Sequence, residues 1–176
     1  ADIQGLISLA TWVNLDTLPV YGGNSPTILF NDTASGYYYR LQFVDLIDGA
    51  QYIQFTPGGG GTNNVSSPLT LTTGTWYHVA VTYDTNSDLV TFYLNGSVVG
   101  TSLDTVAGGY ATDAGTLYFG STDVGARLDG QLDEVRIYDR VLSSGEVTSL
   151  FRLATPTGVD TGLEGYWSFA GGARSG

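Results

Sequence analysis

Apolar and polar residues alternate along most of this chain with a period of two, the pattern of strands that bury one face. The alternation predicts strands at Ile3–Val13, Thr27–Phe30, Tyr37–Val44, Gln51–Thr56, Leu69–Leu71, Trp76–Tyr83, Leu89–Leu94, Val98–Thr101, Thr116–Gly120, Gln131–Tyr138 and Leu163–Phe169. The joints between them are rich in turn residues: "YGGNSP", "NDTASG", "TPGGGGTNN", "DTNSD", "AGGYATDAG" and "STDVGARLDG". Many short strands at such spacing predict an all-β fold, an antiparallel two-sheet sandwich of the jelly-roll kind. No internal repeat or domain-sized linker breaks the pattern, so residues 1–176 are expected to form a single domain.

The stretch "GTWYHVAVTYDTNSDLVTFYLNGSVVG" at 74–100 fixes a register as well as elements. Val79, Val81 and Tyr83 share one face of the first strand, and Val90, Phe92 and Leu94 share one face of the next. Both faces must reach the same core, which places Val81 opposite Phe92, Val79 opposite Leu94 and Asp84 opposite Leu89. A four-residue loop, Thr85–Asp88, then closes the hairpin, and Asn95-Gly96 turns the chain into a third strand. One segment departs from period two. In "LSSGEVTSLF", Ser143 is placed as N-cap with Glu146 at N3, a capping box, and Leu142 and Val147 stand at the positions of a hydrophobic staple. Val147, Leu150 and Phe151 make one apolar stripe. Gly145 weakens this helix by about 1 kcal/mol relative to alanine, so a short helix near 143–152 is expected, packed on the sandwich and followed by the extended path that Pro156 imposes.

Composition narrows the chemistry. The chain has 176 residues, 42% of them apolar and 13% charged, enough for a sizeable core under a surface of Thr, Ser, Asn and Gly. Cysteine is absent, which excludes a thiolate zinc site and a cysteine nucleophile. Lysine is absent too, and six Arg face 17 acidic residues for a net charge of −11. Such a charge repels phosphate backbones and anionic lipid, so neither nucleic acid nor membrane is expected as a partner. The chain opens "ADIQGL" without a methionine and is expected to be a piece of a larger protein. An acidic, Lys-free, Asp-rich surface fits a secreted or cell-surface, extracellular setting.

Few residues carry a chemical motif. His78 lies on the strand face opposite Val79 and Val81 with no nucleophile motif beside it, and reads as a structural histidine. "PGGGGTNN" at 57–64 lacks the Lys and following helix of a phosphate loop and reads as a plain loop. The three glutamates, Glu134, Glu146 and Glu164, form no Glu-x-Asp-x-x-Glu motif, and nothing marks the carboxylate pair that glycoside hydrolysis uses. No catalysis is therefore expected. "DTNSD" at 84–88 spaces three oxygen ligands as an EF-hand does, but Leu89 and Asn95 stand where that loop needs Gly and Glu. "RLDGQLDEVRIYDRVLS" at 127–143 is more informative. Its phase slips between Leu132 and Val135, putting Asp133 and Glu134 where a regular strand has one residue. An Asp at a strand start beside an accessible Gly carbonyl can hold Ca²⁺, whereas the alternative is a surface strand whose Glu134 and Arg136 pair with neighbours. Tyr37–Tyr39 and Tyr110 are candidate aromatic contacts for a sugar, with one face of the Tyr37–Tyr39 run belonging to the core.

The long stretch at 74–100, followed by "LYFGSTDVGARLDGQLDEVRIYDRVLSSGEVTSLF", resembles the laminin-G-like, concanavalin-A-like jelly-roll domains of bacterial secreted proteins. The likeness runs from about Leu69 to Phe151, and "ATWVNLDTLP" resembles an earlier strand of that family. It implies two packed antiparallel sheets and a structural calcium at the sandwich edge. Carried over by residue, Asp133 would be the side-chain ligand, with Gly130 offering a carbonyl and Asp129 a weaker ligand. "GLEGYWSF" at 162–169 comes last here, whereas a similar strand opens the family's members. The strand order is expected to be permuted, or the usual N-terminal strands to be lacking. The function expected on this basis is a non-catalytic extracellular recognition module, calcium-stabilised, that binds carbohydrate or a glycoconjugate alongside neighbouring domains of a bacterial surface or adhesin protein. The alternatives are a structural spacer or protein-binding domain of an adhesin and, third, a glycan-active enzyme domain.

Overall fold

The computed structural model of the chain describes residues 7–23, 25–33, 36–47, 49–58, 63–105, 115–122, 127–152 and 160–169, with the main chain alone at 32, 33 and 36–38. Within these residues the strands are β1 (Ile7–Leu15), β2 (Thr27–Thr33), β3 (Gly36–Asp45), β4 (Gln51–Pro57), β5 (Asn64–Val65), β6 (Trp76–Asp84), β7 (Leu89–Leu94), β8 (Ser97–Leu103), β9 (Thr116–Phe119), β10 (Gly130–Tyr138) and β11 (Leu163–Trp167), with one helix, α1 (Ser144–Phe151). They form a six-stranded sheet in the order β11-β10-β1-β6-β7-β8 and a five-stranded sheet in the order β5-β4-β3-β2-β9. The pairings are antiparallel throughout.

The inward positions of both sheets meet in one core. Leu9 and Val13 of β1, Val79 and Val81 of β6 and Phe92 of β7 face Leu41 and Phe43 of β3 and Ile53 and Phe55 of β4. The hairpin register is the one the alternation requires: Val79 pairs with Leu94, Val81 with Phe92 and Asp84 with Leu89. On one side the sheets are tied by Ser67 N–H donating to the Val99 carbonyl (2.9 Å) and Ser102 Oγ donating to Asn64 Oδ1 (2.8 Å). On the other, Phe119 of β9 meets Trp167 of β11 with ring centroids 4.9 Å apart.

Two strand expectations change. Leu69–Leu71 forms no strand and contributes only an isolated bridge between Leu69 and Gln51. The partner of β4 is instead Asn64–Val65, inside the stretch read as a loop. The ladder ends there because Ser66 diverts it: the Ile53 N–H donates to the Ser66 side chain (3.0 Å), and Pro68, two residues on, has no N–H to give.

The helix lies on the outer face of the six-stranded sheet, where Val147 and Leu150 pack with Leu142, Ala10, Ala80, Tyr93 and Tyr138. The capping box forms as expected, with Ser143 and Glu146 bonded reciprocally. Glu146 also takes two hydrogen bonds from Arg140, at 2.6 and 3.1 Å. These bonds, with those from Ser143, lower the Glu146 carboxyl from 4.5 to about 2. A carboxyl lowered on folding stabilises the native state above its unfolded value, so this contribution is complete above pH 4.5 and is lost as pH falls towards 2. The site is partly solvated, and about 1 kcal/mol is expected. Urea midpoints should show Glu146→Gln less stable than the parent above that window, with the gap closing through it. No helix among the described residues is long and apolar enough to cross a membrane.

Candidate functional site

The phase slip in "LDEV" is a β-bulge. Between Ala10 and Trp12 of β1, strand β10 advances from Arg136 to Asp133, one residue too many, and Glu134 takes φ +52° to absorb it. Asp133 is 4% exposed. Its Oδ1 accepts the N–H of Glu134 (2.7 Å) and the N–H of Phe169 (3.0 Å), so one carboxylate oxygen fastens both the bulge and the chain just beyond β11. Glu134 pairs with Arg136 (2.6 Å) and accepts the Tyr166 hydroxyl (2.8 Å), while the Arg136 guanidinium lies 4.5 Å from the Tyr166 ring centroid. Burial and the bond to Glu134 push the Tyr166 phenol up. The paired-surface reading of Glu134 and Arg136 therefore describes what is seen, and both acids of the bulge hold β10 and β11 together.

Gly130 opens β10 opposite Leu15, at φ +153°. Asp129 is exposed, and its carbonyl accepts the Asp16 N–H (2.8 Å). Calcium takes six to eight oxygens. Among the described residues no group of three or more His, Cys, Asp or Glu side chains converges. Asp133 Oδ1 and the Asp129 carbonyl each accept backbone N–H groups.

A different cluster forms on the outer face of the five-stranded sheet. Tyr39, Leu41 and Phe43 of β3 and Ile53 and Phe55 of β4 are core, so Arg40, Gln42, Gln54 and Thr56 point the other way. Register sets them in rows. Tyr118, Phe30, Arg40 and Thr56 lie side by side across β9, β2, β3 and β4; the next row holds Thr27, Gln42 and Gln54, and the next Val44 and Tyr52. Phe30 packs against Tyr118 with centroids 6.0 Å apart. Gln42 Nε2 donates to Gln54 Oε1 at 2.5 Å, which leaves over a carbonyl oxygen on Gln42 and an N–H of Gln54 as adjacent acceptor and donor. Gln42 and Gln54 are buried, 5% and 6% exposed, with half-buried Arg40 and Tyr52 in the rows on either side. Sequence reasoning missed the cluster. The alternation in "YRLQFV" and "YIQFT" signals that these polar residues face outward, but not that they adjoin.

The model of the concanavalin A-like lectin/glucanases superfamily matches residues 3–148. The chain belongs to that superfamily. Among curated proteins, the concanavalin A-like chain is 27% identical to human pentraxin-related protein PTX3 over 131 residues, 69% of this chain and 33% of that protein. It spans about a quarter to a third of the length of the curated relatives it matches, 26% of the bovine protein and 33% of the human one. Among solved structures it is similar to a protein of Bacteroides ovatus proposed to bind carbohydrate, with a TM-score of 0.71, 23% identity, and coverage of 98% of this chain and 48% of that one. It is also similar to the heptameric SAP-like pentraxin of Limulus polyphemus, with a TM-score of 0.70, 18% identity, and coverage of 84% and 70%. These likenesses share the concanavalin A-like fold.

Other positions in this concanavalin A-like domain are structural or lie elsewhere. His78 is buried under α1, its ring 5.5 Å from Trp12 and 6.2 Å from Phe151. Tyr39 is a core residue, 2% exposed, and is corrected as a sugar contact. The side chains of Tyr37 and Tyr38, and all of Tyr110, lie outside the described residues. In the "DTNSD" hairpin, Asp84 accepts the N–H of Asn86 (2.9 Å), a local turn bond that lowers its carboxyl. A groove of about 320 Å³ opens between β9 and β11, lined by Phe119, Gly120, Leu128, Gly130, Leu132 and Phe169. Among the described residues its lining side chains are all apolar.

Proposed function

We propose that this chain is a non-catalytic extracellular recognition module that binds carbohydrate or a glycoconjugate on the outer face of its five-stranded sheet, beside neighbouring domains of a larger bacterial surface or adhesin protein. The observation that carries this reading is the Gln42–Gln54 pair, with Tyr52 in the row on one side and Arg40 in the row on the other, the latter row continuing through Phe30 to Tyr118. A sugar hydroxyl both donates and accepts, which an adjacent amide acceptor and donor match. Sugar C–H faces stack on aromatic rings at the same time. The superfamily and the B. ovatus neighbour, itself proposed to bind carbohydrate, support the same reading.

The non-catalytic part of the proposal has its own support. Glu134 is held by Arg136 and Tyr166, Glu146 by Arg140 and the helix cap, and Glu164 lies exposed on the edge strand β11. Calcium is proposed only as a stabilising ion at Asp133; it would need further oxygens beyond those described above, and no step of ligand binding is derived from it.

The experiment is retention on immobilised plant, microbial and animal glycans. Retention of the parent is the expected result, with Gln54→Ala weakened about tenfold or more when both are compared well below their melting transitions, since the substitution also strips the buried Gln42 amide of its acceptor and lowers stability. No retention on any glycan would turn the reading to a spacer or protein-binding domain, and reducing ends released from the same polymers would turn it to an enzyme.

A further inference from the structure

We propose that the outer face of the six-stranded sheet carries a second glycan-binding row, formed by Trp76, Asn14 and Gln131, and that it takes an uncharged oligosaccharide. The row lies on the other sheet from the face argued above and stands or falls apart from it.

Val13 and Leu15 of β1 are core residues, so Asn14 between them points outward. Register places Trp76 of β6 opposite Asn14 on one side and Gln131 of β10 opposite it on the other. The three side chains therefore stand abreast on adjacent strands, over about 10 Å. The end of α1 lies over the neighbouring row instead. Its last residue, Phe151, stacks on Trp12 with ring centroids 5.7 Å apart, and Trp12 is paired with His78 and Asp133. Gln131 is exposed, and Asn14 and Trp76 are half-buried, so solvent reaches the row.

Asn14 Oδ1 is buried and has no hydrogen-bond partner. Leaving a buried amide oxygen unbonded is costly, and an incoming hydroxyl donor removes that cost. A half-turn about χ2 breaks no bond from this oxygen and exchanges it with the amide nitrogen, so either can meet a ligand. Gln131 adds a second amide one strand away. Sugar hydroxyls both donate and accept, while an indole offers a flat apolar ring to a sugar C–H face. A disaccharide unit laid across the strands sets one ring at Trp76 and the hydroxyls of the next at Asn14 and Gln131.

Charge selects the class of sugar. No member of the row is charged, but carboxylates flank it on both sides. Asp133 lies opposite Trp12 in one neighbouring row. Beyond the other side come the exposed Asp16, two positions after Asn14, and the exposed Asp129, whose carbonyl accepts the Asp16 N–H. A uronate or sulfate ester seated here would face these acids in a chain of net charge −11, so the row favours a neutral glycan.

The chain has three tryptophans, hence three indole N–H resonances, and Trp76→Phe assigns the one that belongs to Trp76. That resonance would be followed during titration with cellohexaose, xylohexaose, mannohexaose and laminarihexaose, and with hexagalacturonate as the anionic counterpart. At least one neutral hexaose should shift it in a saturable way, in the parent and in Gln54→Ala alike. Hexagalacturonate should bind about tenfold or more weakly. Gln131→Ala, at an exposed position, should weaken the neutral hexaose about fivefold or more, and Asn14→Ala should do the same. Calorimetric binding that leaves the Trp76 resonance still and is lost in Gln54→Ala overturns the row and keeps the other face. A saturable shift untouched by both amide substitutions overturns it as well. Hexagalacturonate bound as tightly as the neutral hexaoses overturns the assigned class of sugar. If none of the hexaoses binds, the row is overturned, and retention in the glycan panel decides the other face separately.

Discussion

Gly130→Ala is expected to destabilise the fold by about 3–5 kcal/mol, the sum of a strained backbone and an overpacked one. Gly130 has φ +153°, a conformation that side chains with a Cβ rarely adopt, and a Cβ built there falls far inside the van der Waals radius of the Asn14 carbonyl oxygen. Neither partner can yield cheaply. Asn14 belongs to β1, which is hydrogen-bonded to β10 on one side and β6 on the other, and the next residue, Leu15, is fully buried. Gly74→Ala separates the two causes. Gly74 also has positive φ, +73°, but nothing lies within 4 Å of its added Cβ, so only the backbone term of about 1 kcal/mol applies. Urea unfolding of both variants measures the difference. Equal losses would show that β1 and β10 separate to admit the methyl group.

The local parts of this fold are legible because each rests on neighbouring residues. The β6–β7 hairpin follows from two apolar faces and a four-residue loop, and the helix from Ser143, Glu146 and the Val147–Leu150 stripe. What lies beyond that range is not legible. That β10 sits between β1 and β11, and β2 between β3 and β9, depends on connections that no periodicity encodes. The β5 strand was hidden because two residues beside a Gly-rich run have no period to detect, and Leu69–Leu71 looked like a strand because its alternation is real while its ladder is broken at Ser66 and Pro68.

The candidate site divides in the same way. The slip between Leu132 and Val135 was visible as a fault in the alternation, and it is the bulge. What Asp133 does there was not visible, because Phe169, the donor of its second amide bond, lies 36 residues away. Likewise, Arg40, Gln42 and Gln54 read as ordinary outward positions until the β3–β4 register sets Gln42 opposite Gln54.

Asp133→Ala is expected to cost about 2–3 kcal/mol, because it leaves the part-buried N–H groups of Glu134 and Phe169 without their acceptor. Asp133→Asn keeps a carbonyl oxygen for both amides and gives up the charge, so about 1–2 kcal/mol is expected. The order Asp > Asn > Ala should hold in EDTA, since the clamp requires no ion. Calcium bound at the same carboxylate has a different signature. It would raise the parent's melting temperature in a concentration-dependent way, by about 2.7 kcal/mol at a hundredfold excess over its dissociation constant. Asp133→Ala would abolish that increment and Asp133→Asn would reduce it, because the amide keeps one carbonyl oxygen for calcium but gives up the charge. A parent that melts at the same temperature in EDTA and in calcium retires the ion and leaves the clamp standing. An Ala variant as stable as the parent in EDTA retires the clamp, because the two amides would then have found other acceptors. The bulge itself predicts against that second outcome: Glu134 is held at φ +52°, and its own N–H donates to Asp133 Oδ1 at 2.7 Å.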